Sequence, residues 1–95
     1  MYSRRQRALV QLVVDAARDG RLCYHSGEFW VIVKKGSNDL VLQVNFNTAT
    51  MSYLNASEAF YVLRANPPHK DAVLARQLDE QLVNGRAASG HRTFL

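Results

Sequence analysis

Two runs of apolar residues in the middle of the chain predict a β-hairpin. Phe29–Val33 forms the first run and Leu40–Val44 the second, with polar residues between them. Successive side chains of a strand point to opposite faces, so a sheet with one face in water alternates apolar and polar residues. Neither run alternates in this way. We therefore expect both faces of the sheet to be covered, either by the chain's own helices or by a partner.

The residues before this hairpin predict a further strand over 21–25. Ser26 and Gly27 have the composition of a two-residue turn between antiparallel strands. That turn length places Cys23 opposite Trp30, and it makes residues 21–25 the neighbour of the first apolar run.

A second turn joins the two apolar runs. The sequence predicts a three-residue loop over 36–38, in which Asn38 takes the left-handed conformation that asparagine tolerates. A favourable cross-strand charge pair between Lys35 and Asp39 would follow. The same register places Ile32 opposite Leu42, and Trp30 opposite Val44.

This predicted register divides the apolar side chains between two faces of the sheet, which we call the core face and the second face. A slip of one residue in the register would move side chains from one face to the other. The core face holds Cys23, Trp30, Ile32, Leu40, Leu42, Val44 and Phe46. The second face holds Leu22, Tyr24, Phe29, Val31, Val33 and Val41, with Gln43 and Asn45 at one end.

Residues 3–19 have the apolar spacing of an amphipathic helix. Gly20 suits the left-handed residue that ends a helix. The apolar arc is wider than the stripe of a simple surface helix, so we expect this helix to contact both the sheet and a second helix. The main stripe consists of Leu9, Leu12, Val13 and Ala16.

The C-terminal half predicts a short fourth strand over 50–54 and a helix that begins after Asn55. Asn55 and Glu58 have the spacing of a capping box. This helix is predicted to end near Ala65, with Phe60 and Leu63 as its core anchors.

A third helix is predicted with Asn66 as its cap and Pro67 at its first position, where proline is tolerated. Leu74, Leu78 and Leu82 form its apolar stripe, and residues 84–85 end it. The predicted fold is therefore α+β: a small antiparallel sheet of three to four strands, one N-terminal helix and two C-terminal helices.

Ninety-five residues are enough for one small domain, which we place at 1–85, followed by a flexible basic tail over 86–95. No apolar run is long enough to span a membrane. The single cysteine suits a reducing compartment, so we expect a cytoplasmic protein. The net charge of +4 favours acidic partners.

Motifs for catalysis or cofactor binding are weak. Cys23 and His25 lie two apart on a predicted strand, and Glu28 could orient the histidine. Cys23 is nevertheless predicted on the apolar face opposite Trp30, so we interpret it as a buried core cysteine. The chain lacks paired metal-ligand motifs and glycine-rich phosphate loops. We predict a protein that is not an enzyme and requires no cofactor or metal.

The favoured function is protein binding through the second face of the sheet. Exposed apolar patches mark interaction sites, and aromatic side chains often dominate their energetics. The chain would act as an inhibitor or adaptor of a larger protein assembly, of the accessory type that phages and mobile elements encode, with a homodimer as one arrangement. The predicted binding residues are Tyr24, Phe29, Val31, Val33 and Val41.

Nucleic-acid binding is the alternative function. A basic stripe on the first helix and a basic hairpin tip could neutralise phosphates. The same charges could equally be a solvated surface that discourages aggregation at the hairpin end. The residues of this alternative are Arg4, Arg7, Arg18, Lys34 and Lys35.

Overall fold

A computed structural model describes residues 2–87 and shows an α+β fold. The four strands form one antiparallel sheet in the order β1-β2-β3-β4. The predicted class and the order of helices and strands are confirmed. The elements are α1 Arg4–Asp19, β1 Leu22–His25, β2 Glu28–Lys35, β3 Asn38–Asn45, β4 Thr50–Tyr53, α2 Ala56–Ala65 and α3 Ala72–Ala87.

Helices cover both faces of the sheet. On one face, α1 and α3 enclose the larger core, which includes Val13, Val31 and Leu78. On the other face, α2 packs its inner side against a smaller cluster around Cys23 and Trp30. The expectation that both faces are covered is therefore confirmed, and the cover comes from the chain itself.

Local signals determine both ends of α1. The Ser3 hydroxyl accepts a hydrogen bond from the Gln6 backbone N–H at 3.0 Å, and the Gln6 side chain accepts one from the Ser3 N–H at 2.9 Å. This capping box satisfies two amides that the helix itself leaves unpaired. Gly20 ends α1 with φ of 78°, which glycine adopts without steric cost.

The turn between β1 and β2 has the predicted length and register. Ser26 and Gly27 both have positive φ, as a type I′ turn requires. Cys23 consequently lies opposite Trp30.

The turn between β2 and β3 is shorter than predicted. Gly36 has φ of 66°, so glycine rather than Asn38 provides the positive-φ residue, and the loop contains two residues instead of three. Lys34, not Lys35, therefore lies opposite Asp39, with 3.5 Å between the Lys34 Nζ and a carboxylate oxygen. The other corrected pairs are Ile32 with Val41, and Trp30 with Gln43.

This one-residue difference changes the composition of both sheet faces. Leu42 and Val44 share a face with Val31 and Phe29, not with Trp30 and Cys23, so the predicted core face is wrong. The face beneath α1 and α3 holds the buried residues Leu22, Phe29, Val31, Leu42 and Val44. The face beneath α2 holds Cys23, Trp30, Ile32 and Val41.

The capping box of α2 is confirmed. The Asn55 side chain accepts from the Glu58 N–H at 2.8 Å, and the Glu58 carboxylate accepts from the Asn55 N–H at 3.2 Å. The prediction that Phe60 anchors the helix in the core is wrong, because its side chain points away from the sheet and is 60% exposed. Ala59, Val62 and Leu63 make the contact with the sheet instead.

The third helix begins later than predicted. Asp71 caps it by accepting a hydrogen bond from the Leu74 N–H at 3.0 Å. Pro68 disfavours a helical conformation at Pro67, which explains why the helix does not start at Asn66. The stripe of Leu74, Leu78 and Leu82 is buried as predicted. The helix extends through Ala87 rather than ending at 84–85, and most of the predicted tail, 88–95, lies outside the described residues.

Candidate functional site

The five residues predicted to bind a protein do not form one exposed patch. Phe29, Val31 and Val41 are buried, and Tyr24 and Val33 are half-buried. Val41 lies on the opposite face of the sheet from the other four. The Phe29 ring packs between other rings of the chain, with its centroid 4.8 Å from those of Tyr24 and Phe46. These side chains serve the core.

The five basic residues of the nucleic-acid alternative lie at three separate places. Arg18 is at the C-terminal end of α1, 2.9 Å from the Asp79 carboxylate of α3. Lys34 and Lys35 are at the hairpin tip, where Lys34 pairs with Asp39. At the other end of α1, Arg4 is exposed and Arg7 donates to the Tyr2 carbonyl at 2.9 Å. Arg4 and Arg18 are separated by about 21 Å along the helix.

Cys23 and His25 do not form an activated pair. Cys23 is fully buried beneath α2, whereas His25 is exposed at the end of β1. Burial raises the pKa of the Cys23 thiol, which keeps it protonated and unreactive. Within residues 2–87, no group of three or more His, Cys, Asp or Glu side chains could hold a metal ion. No helix in the same range is long and apolar enough to cross a membrane.

The edge strand β4 is the part of the sheet that the helices leave exposed. All four of its residues are exposed, with Met51 at 50% and Tyr53 at 54%. Met51 lies opposite Val44 and Tyr53 opposite Leu42, so both side chains are on the α1 face. The contacts of α1 with the sheet are concentrated on β1 and β2, so α1 does not extend over β4.

Two further apolar residues extend this exposed area towards the hairpin tip. Val33 and Leu40 lie opposite each other on the same face, and each is only partly buried. We call the surface formed by Val33, Leu40, Met51 and Tyr53 the β4 shelf. It combines aliphatic, thioether and aromatic side chains on one face of the sheet.

The backbone of β4 also presents hydrogen-bonding groups at the outer edge. The Leu54 N–H donates to the Val41 carbonyl at 2.9 Å, which identifies this pair as hydrogen-bonded. Antiparallel pairs alternate, so Ser52 bonds to β3 while Met51 and Tyr53 direct their N–H and C=O groups outward. In the described part of the chain, these four groups have no backbone partner.

The opposite edge of the sheet, strand β1, is partly covered by the chain itself. The segment after α2 folds alongside β1, and the His69 N–H donates to the Leu22 carbonyl at 3.0 Å. The chain thus covers part of one sheet edge and leaves the other exposed. Charged side chains commonly protect exposed edges from pairing with other chains, but β4, Thr-Met-Ser-Tyr, has none of its own.

Cations flank β4 at both ends. The Lys35 Nζ lies 5.6 Å from the centroid of the Tyr53 ring. At the other end, the Arg5 Nε donates to the carbonyl of Ala49, the residue before β4. Neither cation has a carboxylate partner within residues 2–87. The shelf is therefore an apolar surface with positive charge at each end.

A second exposed apolar area lies on the outer side of α2. Phe60 and Tyr61 are 60% and 70% exposed, with 6.2 Å between their ring centroids. This pair has no outward-facing backbone groups beside it, because the helix uses its own amides and carbonyls. It offers apolar area alone, whereas the β4 shelf offers apolar area and directional hydrogen bonds.

Sequence reasoning predicted β4 but did not identify it as a site. The available signal was an uncharged strand at the end of a series of antiparallel strands, with methionine and tyrosine on one face. Its exposure depends on where α1 and α3 lie on the sheet, which no local pattern reports. Comparisons of the chain with protein-family models, with curated proteins and with solved structures find no match.

Proposed function

We propose that this chain is a non-enzymatic protein-binding module, an inhibitor or adaptor of a larger protein assembly, and that the β4 shelf is its binding surface. The observation that carries the proposal is the exposure of Met51 and Tyr53 beside unpaired outward backbone groups. Protein partners can use both features, since apolar area supplies affinity and an exposed edge supplies directional hydrogen bonds.

The composition of the shelf supports this proposal. Tyrosine is among the residues that dominate binding energy at protein interfaces, and methionine is enriched there. Leaving such residues at an uncharged sheet edge is an aggregation risk that folded proteins usually avoid. A partner that covers the edge would remove that risk.

The experiment is a comparative capture from lysate of the cells that produce the protein, performed with and without nuclease treatment. Three immobilised forms are compared: the wild type, the shelf variant Met51→Ala/Tyr53→Ala and the matched control Phe60→Ala/Tyr61→Ala. We expect a specific protein to be retained by the wild type and the control but lost from the shelf variant. All four substituted side chains are at least half exposed, so each variant should fold.

Two results would contradict the proposal. One is equal retention of the same proteins by the shelf variant and the wild type. The other is retention that disappears with nuclease treatment, which would indicate that nucleic acid is the ligand. In that case, binding of nucleic acid should weaken steeply as the salt concentration rises, and the variant Arg4→Ala/Arg7→Ala should bind it more weakly than the wild type.

A further inference from the structure

We infer that the β4 shelf binds an extended, acidic segment of its partner, which adds to the sheet as a fifth strand beside β4. This inference rests on the proposed function and specifies the chemistry of the segment that the shelf recognises. The segment pairs its backbone with Met51 and Tyr53, places apolar side chains on the shelf and carries carboxylates near both ends.

The hydrogen-bonding pattern of β4 supports an added strand. Met51 and Tyr53 are two residues apart, and both direct their backbone groups away from β3. Residues of an added strand that lie opposite these two are also two apart, and their side chains project on the same face as the shelf. Two alternate apolar residues in the segment would therefore contact Met51 and Tyr53.

The flanking cations indicate that the segment is acidic. Lys35 is beside Tyr53 at one end of β4, and Arg5 is beside Ala49 at the other. Four strand residues span about 13 Å, so carboxylates just outside the apolar pair would approach both cations. Such charge complementarity would increase the association rate and help to fix the register of the segment.

The same charges disfavour a second copy of the chain as the occupant. Two β4 strands that pair antiparallel about a twofold axis bring the Tyr53 end of one beside the Thr50 end of the other. Lys35 of one copy would then approach Arg5 of its neighbour. Two chains that each carry a net charge of +4 also repel each other.

Selection from random linear peptides displayed on phage tests this inference. We expect the selected peptides to share two apolar residues at alternate positions, with Asp or Glu on both sides. A synthetic copy of the best peptide should bind more weakly when its acidic residues are replaced by the corresponding amides. Its binding should also weaken as the salt concentration rises.

Backbone variants separate strand addition from simple apolar contact. Met51→Pro removes an outward N–H and leaves the hydrogen bonds to β3 intact, since proline is tolerated where the N–H faces away from the sheet. We expect its affinity for the peptide to be about tenfold lower than that of Met51→Ala, which loses only the side chain. Circular dichroism checks that both variants are folded.

A charge variant tests the acidic character of the segment separately. Lys35→Glu, made without the proline substitution, should lower the affinity for the peptide about fivefold.

Three results would overturn the inference. Selected peptides without acidic residues, equal affinities of Met51→Pro and Met51→Ala, or a concentration-dependent dimer that peptide does not disrupt would each do so. If one of these results is obtained but lysate capture still requires Met51 and Tyr53, the proposed protein-binding function stands and only strand addition fails. If lysate capture is also unchanged in the shelf variant, the proposed function and the strand-addition inference both fail.

Discussion

Met51 lies directly opposite Val44 in the pairing of β4 with β3, yet Met51 is 50% exposed and Val44 is 4% exposed. Cross-strand neighbours on one face normally share an environment. The contrast arises because the cover that α1 and α3 provide ends between these two strands. The boundary between core and surface therefore runs between β3 and β4, and it creates the β4 shelf.

This boundary predicts different stabilities for two truncations. Val44→Ala removes buried methyl groups and should lower the free energy of unfolding by about 2 kcal/mol. Met51→Ala should change it by less than about 0.5 kcal/mol, as is usual at exposed positions. Urea denaturation of the two variants measures both values. Equal losses would mean that Met51 belongs to the core.

The capping box of α2 predicts a measurable loss when its cap is removed. Asn55→Ala leaves the Glu58 amide without its acceptor and should cost about 1 kcal/mol of stability. Ser57→Ala, at an exposed position in the first turn of the same helix, is the control and should be nearly neutral. Thermal denaturation compares the two. A cost as large for Ser57→Ala would contradict the assignment of Asn55 as the cap.

The left-handed conformation of Gly20 predicts a backbone cost on substitution. Gly20→Ala should destabilise the protein by about 1–2 kcal/mol, because φ is 78° there. The new Cβ would lie 3.3 Å from the Lys70 Cγ, a contact that the exposed Lys70 side chain can relieve by a small movement. Gly20→Asn introduces the same Cβ but tolerates this conformation better and should cost less. An equal cost for both variants would assign the loss to the Lys70 contact.

The buried thiol of Cys23 predicts a pH dependence of stability. Its pKa is raised in the folded protein by burial, so the native state retains the proton at a pH where the unfolded chain has lost it. The unfolded state then binds fewer protons, and stability falls as the pH rises above the unfolded thiol pKa of about 8.5. Wild type should lose more stability than Cys23→Ala between neutral pH and pH of about 9.5. Parallel losses in the two proteins would contradict this.

Local patterns were sufficient to predict much of the fold. The first helix, its glycine end, the Ser26-Gly27 turn and the Asn55 cap each depend on residues close in sequence. These features were predicted with the correct residues, because a cap or a two-residue turn satisfies its hydrogen bonds within a few positions.

The sheet faces and the candidate site required information that local patterns do not contain. Choosing Asn38 rather than Gly36 as the positive-φ residue moved β3 by one position, which changed the face of every side chain on it. Phe29 and Val31 were predicted as surface residues because both faces of β2 are apolar, and only the positions of the helices decide which side chains of each face are enclosed. The same long-range packing determines that β4 is left exposed.

Hydrogen exchange at three consecutive β4 amides tests the central claim most directly. In the isolated protein, the Met51 and Tyr53 amides should exchange rapidly and the Ser52 amide slowly, because only Ser52 bonds to β3. When the captured partner is added, the Met51 and Tyr53 amides should become protected, and amides on the outer side of α2 should not change. Protection confined to α2 or to the basic residues of α1, with Met51 and Tyr53 still exchanging rapidly, would contradict binding at the β4 shelf.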